Sequence, residues 1–354
     1  MARVAKGKGV VLRPHVKTHK CAEVWADICA AGNTCGITVS TLEEAEYFHA
    51  HGANDILYAV GLAPGKIARI AKLVAKGARV TGILDDLTVV RLLEAAANEH
   101  GLVLPLMIEL DVDGHRAGVD PLSDELLDLA AAIAGAPSLH LAGVMTHAGG
   151  SYAATDGATL NSAAQNEASL SVKAAERIRA AGFECEIVSI GSTPTALAEA
   201  DLTDVTEIRA GVYTFFDLVM AGIGVAQIDE IALSVLATVI GYSRSNGCLV
   251  TDAGWMALSR DRGTQSQPVD QGYGLVCDED TRPISDLIVR GCNQEHGIVG
   301  PRDPEERIDF AQYPLGTRLR ILPNHACATA AQHTSYAVTE SRTVVDVWHR
   351  TTGW

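Results

Sequence analysis

From Val10 to about Phe216 the chain alternates short β-branched runs with amphipathic stretches of helical period, and this alternation limits its possible folds more than any other feature. Gly9-Val10-Val11-Leu12 opens the series. Gly36 to Val39 precedes helical Leu42 to His51, Asp55 to Ala59 precedes Pro64 to Lys76, and Arg79 to Leu84 precedes Leu87 to Glu99. Leu104 to Leu110 leads to Ser123 to Ala134, and Leu139 to Met145 leads to a long helix over about 160–181. Glu186 to Ile190 and Glu207 to Arg209 complete it. About eight strands, each feeding a helix, predict an α/β fold of the (β/α)8 TIM-barrel type, which gathers chemistry on the loops after its strands.

Beyond about residue 226 the pattern changes to strands and turns: Ala232 to Tyr242, Cys248 to Asp252, Leu287 to Arg290, Thr317 to Leu322 and Thr343 to Trp348. Long helical periodicity is absent there, so a mainly β domain over 226–354 is expected to follow a barrel domain over 1–225. A chain of 354 residues exceeds the usual ceiling for one core, about 250 to 300, which agrees with two domains.

The net charge of −15 offers no field for a phosphate backbone, so nucleic acid is not expected as a partner. No apolar stretch approaches the roughly 20 residues of a membrane span, and the amino terminus lacks a signal-peptide core. A soluble, cytoplasmic protein without membrane partners is expected. The eight cysteines are scattered without zinc-finger spacing, which suits reduced core residues.

The opening strand ends in Arg13-Pro14-His15-Val16-Lys17-Thr18-His19-Lys20, two lysines and two histidines within six residues. A lysine at the carboxyl end of an inner strand can lose its proton to burial and nearby cations and become a nucleophile that forms a Schiff base. Lys17 is the first choice and Lys20 the reserve. A solvated basic strand end is the alternative. Three further polar loops follow apolar strands directly: Asp111 to Arg116, Thr146 to Tyr152, which includes His147, and Gly191 to Thr195.

Gly191-Ser192-Thr193 and Gly211-Val212 close two late strands. Glycine permits close backbone approach, and hydroxyls with free amides suit an anion such as phosphate. Ordinary capped turns are the other reading. Arg116 and Arg209 each close a strand at the proposed mouth and are candidates for holding cofactor oxygen or ring nitrogen, with salt bridging as the alternative. His325 and Cys327, two apart, would share a face if they lay in a strand, and both are zinc-type ligands. Core packing is the competing account. Asn293 to Gly297 reads as a second shell, a third ligand or a polar turn. Arg260, Asp261 and Arg262 look like a loop network or subunit contact.

Arg13 to Lys20, Thr146 to Tyr152, Gly191 to Thr195, Asn293 to Gly297 and Pro323-Asn324-His325-Ala326-Cys327 together resemble the motifs of the D-serine dehydratase and D-threonine aldolase family. The resemblance spans nearly the whole chain. Asp111 to Gly118, Ser189 to Thr195, Glu207 to Asp217 and Asp252 to Thr264 look most like the branch acting on D-threo-3-hydroxyaspartate. The resemblance implies an alanine-racemase-like fold, pyridoxal 5'-phosphate on Lys17, and cofactor contacts from Tyr152, Thr193, Gly211 and Val212. It also implies a divalent metal at His325 and Cys327, zinc before manganese, magnesium or cobalt, and a homodimer.

The implied activity is β-elimination from a D-3-hydroxy amino acid, D-threo-3-hydroxyaspartate or D-serine, to a 2-oxo acid and ammonia. Retro-aldol cleavage to glycine and an aldehyde is the rival, and a non-catalytic cofactor carrier of the same barrel is a third possibility. The aldolase branch resembles this chain less, since there the second metal ligand is usually aspartate. The family pattern also places a strand and a helix before the lysine strand, and Met1 falls inside that helix.

Overall fold

The computed structural model describes residues 1–354 and divides into two compact units, one of residues 1–211 with 351–354 and one of residues 212–350. Sequence pattern placed the change at 225. The units part between Gly211 and Val212, directly after the last parallel strand.

In the first unit eight strands form one parallel sheet: β1 Val11–Pro14, β2 Ile37–Val39, β3 Asp55–Gly61, β4 Arg79–Leu84, β5 Leu104–Leu110, β6 Leu139–Thr146, β7 Ile187–Ile190 and β8 Glu207–Ala210. Neighbours along the sheet run β1-β8-β7-β6-β5-β4-β3-β2. Parallel bridges Leu12 to Thr34 and His15 to Thr38 bring β1 back to the β2 edge, so the arrangement is the expected (β/α)8 barrel. Its helices are α1 Ala2–Gly7, α2 Ala22–Ala30, α3 Leu42–Ala50, α4 Ile67–Ala75, α5 Leu87–Glu99, α6 Glu125–Ala134, α7 Gly157–Ala180 and α8 Thr193–Leu197.

The helix starts are legible in the chain. Thr41, Asp86 and Asp156 cap α3, α5 and α7 by accepting from backbone N–H groups of the first turn, which otherwise lack partners. Apolar side chains exclude water from the core; Leu57, Ile83, Met107, Ala142 and Met145, from four successive strands, form one cluster.

Charge also enters this core. Arg13 on β1 is buried and directs Nε to both carboxylate oxygens of Glu207, each at 2.9 Å. It reaches Asp55 at 3.2 Å by passing over Gly36, where a Cβ would lie 2.5 Å from Nη1. Glu207 also accepts from the Ser189 hydroxyl at 2.6 Å.

The second unit contains a closed antiparallel barrel of β9 Val235–Ser243, β10 Cys248–Thr251, β11 Leu275–Cys277, β12 Pro283–Cys292, β13 Gly297–Pro301 and β14 Arg318–Leu322, in the order β10-β13-β12-β11-β14-β9. Closure leaves no open edge. Val235, Ala237, Val239, Leu249, Val276, Val289, Val299, Leu319 and Ile321 fill its interior, alternating along strands as a period of two requires. Short helices α9 Leu218–Gly222, α10 Trp255–Leu258 and α11 Ala326–Ala330 and the hairpin β15 Ser335–Glu340 with β16 Thr343–His349 complete it. No helix of the chain is long and apolar enough to cross a membrane.

Candidate active site

Lys17 stands in the turn that leaves β1 at its carboxyl end, partly accessible and in no ion pair. Lys20 differs: its Nζ lies 3.0 Å from a Glu44 carboxylate that is 1% exposed. That amine is engaged by a buried carboxylate, so the reserve candidate is set aside, and Lys17 is the one of the two that stands outside an ion pair. His19 is buried edge-on to Phe48 with Nδ1 near the Cys21 carbonyl, and therefore serves packing.

The remaining barrel candidates converge on that end of the sheet. His147 follows β6, and its Nδ1 lies 3.3 Å from the Gly191 carbonyl after β7. Burial and the Lys17 charge lower His147 to about 3, and the same two causes, with Arg209 and His147 added, lower His15 well below its ordinary value. Both imidazoles are thus neutral beside the lysine. Tyr152, in the 3-10 turn after β6, sits with its ring centroid 6.1 Å from that of His147.

Ser192 and Thr193 are buried at the start of α8, where Ser192 forms a reciprocal capping box with Thr195. The Ser192 hydroxyl also lies 3.1 Å from that of Ser151. Gly211 ends the barrel unit with its Cα beside the lysine turn: a Cβ there would lie 3.0 Å from the His15 carbonyl and 3.0 Å from the Thr18 hydroxyl. Val212 is buried and begins the second unit in a 3-10 turn.

The two arginines separate. Arg209 is buried and extends from β8 across its neighbours, donating to the Ser189 hydroxyl at 2.6 Å and to the Thr146 carbonyl. Burial lowers its pKa against the pull of Glu207, Glu167 and Glu109. Arg116 is mostly exposed in the loop after β5, 3.1 Å from the buried Glu109 carboxylate.

In the second unit His325 and Cys327 do not lie in a strand. His325 is the N-cap of α11 and Cys327 lies in its first turn. The two side chains still meet, because the His325 ring hydrogen-bonds the Cys327 sulfur. Its Nδ1 lies 2.8 Å from Asp261 Oδ2. Burial would lower His325, but Asp261 and Cys327 outweigh it and push the imidazole up to about 10. That is a proton which a bound cation would displace.

A carboxylate on Nδ1 orients the other ring nitrogen toward a ligand, the usual outer partner of a metal-binding histidine. Asp261, expected in a loop network or subunit contact, is instead the partner of the His325 ring. Asn293 to Gly297 is a polar turn: the Asn293 and Gln294 carbonyls accept from Trp255 and Met256 N–H, and Glu295 and His296 are exposed. Arg262 is paired with Asp270 at 2.7 Å, and Arg260 stacks on Trp255.

The donor sets fit the two implied groups. An unpaired amine beside neutral imidazoles, buried hydroxyls and a close-approach glycine suit a carbonyl cofactor with an anionic tail. A thiol and an imidazole backed by a carboxylate suit a borderline-soft divalent cation, with coordination positions left for water or substrate.

Glu167 on α7 escaped the sequence reading. It is fully buried and belongs to the stripe Leu160, Ala164, Glu167, Ala168, Ser171, Ala174, Ala175 and Ile178. A charged residue at a core position of a helical period was the available signal.

The model of the alanine racemase N-terminal domain matches residues 1–219, and that of a putative serine dehydratase domain matches residues 232–339. Over 98% of its length the chain is 49% identical to a D-threo-3-hydroxyaspartate dehydratase of Delftia sp. strain HT23, covering 91% of that protein. It is 30% identical to a D-serine dehydratase of Dictyostelium discoideum, over 94% of this chain and 87% of the relative. A 3-hydroxy-D-aspartate aldolase of Paracoccus denitrificans stands lower, at 29% over 98% of this chain and 86% of its own. The solved structure of the Delftia dehydratase superposes with a TM-score of 0.96 at 47% identity, covering 99% of this chain and 93% of that one. A cysteine-to-alanine variant of that dehydratase is described as the metal-free form.

Proposed function

We propose that this chain, which belongs to the family of alanine-racemase-type barrels that carry a serine dehydratase domain, is a dehydratase of D-3-hydroxy amino acids, D-threo-3-hydroxyaspartate first and D-serine second. The observation that carries the reading is the unpaired Lys17 amine beside two neutral imidazoles at the carboxyl end of the barrel. The substrate class comes from the 49% identity over nearly the full chain.

Lys17, Arg116, His147, Tyr152, Ser192, Thr193, Arg209, Gly211 and Val212 would hold pyridoxal phosphate, which when bound supplies a sink for the electron pair released at the substrate's Cα. His325 and Cys327 would hold a divalent cation, zinc by the softness of the thiolate, which supplies Lewis acidity toward a leaving hydroxyl. In its neutral form Lys17 Nζ takes the Cα proton and carries it while the 3-hydroxyl departs. His15 and His147, held neutral by burial and by Lys17, can hydrogen-bond beside the lysine without adding a competing charge. Burial keeps Arg209 fixed against Ser189 and Thr146, so it does not reorganise during turnover. Arg116, exposed and held only by Glu109, is the basic group available to a second substrate carboxylate. The enamine set free hydrolyses in water to a 2-oxo acid and ammonia.

A homodimer in the cytoplasm completes the reading; the eight cysteines form no disulfide, in keeping with a reducing compartment. The deciding experiment incubates the protein with D-threo-3-hydroxyaspartate, D-serine and D-threonine and assays ammonia and glycine separately. Ammonia with a 2-oxo acid is expected. Glycine with an aldehyde and no ammonia would reject the dehydratase in favour of the aldolase, and neither product would favour a carrier.

A further inference from the structure

Two backbone N–H groups from different strand-end loops point at one buried oxygen. Glu167 Oε1 accepts from Ala148 N at 3.0 Å, in the loop after β6, and from Gly191 N at 3.1 Å, in the loop after β7. The Gly191 peptide is held from its other side too, since its carbonyl lies 3.3 Å from His147 Nδ1. Gly191 has φ +122°, and a Cβ there would lie 2.5 Å from the Arg209 carbonyl, so the loop after β7 approaches β8 as only glycine allows. The next residues along the two loops are the ones that bear on the site: His147 and Tyr152 on one, Ser192 and Thr193 on the other. A second, weaker stitch joins the same loops through the Ser151 and Ser192 hydroxyls.

We propose that Glu167 is a positioning residue that fixes the spacing of the loops after β6 and β7, and so sets the affinity of the cofactor site for pyridoxal phosphate. The inference rests on the cofactor reading above. The neighbouring Asn166 donates to the Val112 carbonyl at 3.0 Å in the loop after β5, so the same turn of α7 anchors three successive loops of the mouth. Burial raises the Glu167 carboxyl, opposed by Thr195, the Ala148 and Gly191 N–H groups and Arg209. Glutamine is isosteric with this side chain and keeps an acceptor oxygen for the two N–H groups.

The test titrates pyridoxal phosphate into cofactor-free wild-type, Glu167→Gln and Glu167→Asp proteins, following the visible absorbance of the bound cofactor. Amide exchange at Ala148 and Gly191 is measured in parallel. Glutamine keeps an acceptor oxygen at the same reach and should bind within about threefold of wild type. Aspartate withdraws the oxygen by one methylene. It should speed exchange at both amides and weaken cofactor binding about 10- to 100-fold, the cost of misplacing a constellation by a fraction of an ångström to an ångström.

Faster exchange with unchanged affinity in the aspartate variant overturns the proposal, because the bridge would then serve stability alone. If the aspartate variant does not fold, a tenfold loss in the glutamine variant overturns it and retention supports it. A wild-type protein that takes up no cofactor rejects the functional reading itself, whatever the variants do.

Discussion

Glu207→Ala is the most informative perturbation of the barrel. Arg13 and Glu207 are 4% and 3% exposed, and the guanidinium meets both carboxylate oxygens at 2.9 Å. Removing the carboxylate strands a buried guanidinium whose remaining partner, Asp55 at 3.2 Å, is itself 24% exposed and shared with Arg79. Breaking a buried pair from one side costs about 3 to 5 kcal/mol, and the surviving Asp55 contact places this case near 3. At about 2 to 4 °C per kcal/mol for a unit of this size, Tm should fall by about 6 to 12 °C.

The exposed comparator is Arg79→Ala. Its side chain is 70% exposed although it lies 2.7 Å from Asp55, and its loss should cost less than about 1 kcal/mol. Urea melts of both variants, with the double variant Arg13→Met/Glu207→Leu, form the assay. The double variant should be more stable than Glu207→Ala, because no unpaired charge remains in the core. A Glu207→Ala loss below about 1 kcal/mol, or a double variant less stable than Glu207→Ala, would refute the account of a buried, mutually dependent pair.

Other expectations follow from the same geometry. His147 sits at about 3 because burial and Lys17 disfavour its charge, against about 6.5 in the unfolded chain. Its contribution is therefore complete above about pH 6.5 and is lost as pH falls toward about 3. Between about pH 6.5 and 5 wild type should lose up to about 2 kcal/mol that a His147→Gln variant does not, and equal slopes in urea titrations would contradict the assignment. Lys17→Ala should abolish the visible colour of bound cofactor while Lys20→Ala keeps it; the reverse result would move the reactive amine. Gly191→Ala should cost more than about 2 kcal/mol and cofactor affinity together, because its Cβ meets the Arg209 carbonyl at 2.5 Å, and a wild-type melting curve would show that β7 and β8 can part. Chelation should remove the ammonia-forming activity and zinc should restore it; full activity after verified metal loss would reject a catalytic role for His325 and Cys327.

The barrel could be read from the chain because its determinants are local. Runs such as Arg79–Leu84 and Leu104–Leu110, each followed by a helical period, fix the strand order through short connections, and the observed bounds of β4, α5 and β5 coincide with the expected ones. Lys17 could be nominated from its place after a strand. The second unit was less legible: β11 has three residues and β13 five, and their pairing across the closed barrel is not encoded by any one segment.

Tertiary structure alone distinguished the surroundings of Lys17 and Lys20, because Glu44, distant in sequence from both lysines, places its carboxylate 3.0 Å from Lys20. It put His325 and Cys327 on a helix start rather than a strand and supplied Asp261 from a distant loop. It also gave Glu167 its role, since the two N–H groups it binds come from loops that the pairing of β6 with β7 makes neighbours. Periodicity records which face of each element is buried, and here that was enough for the barrel. Which charges end up paired is set by contacts between residues far apart in the chain, and no local pattern holds that information.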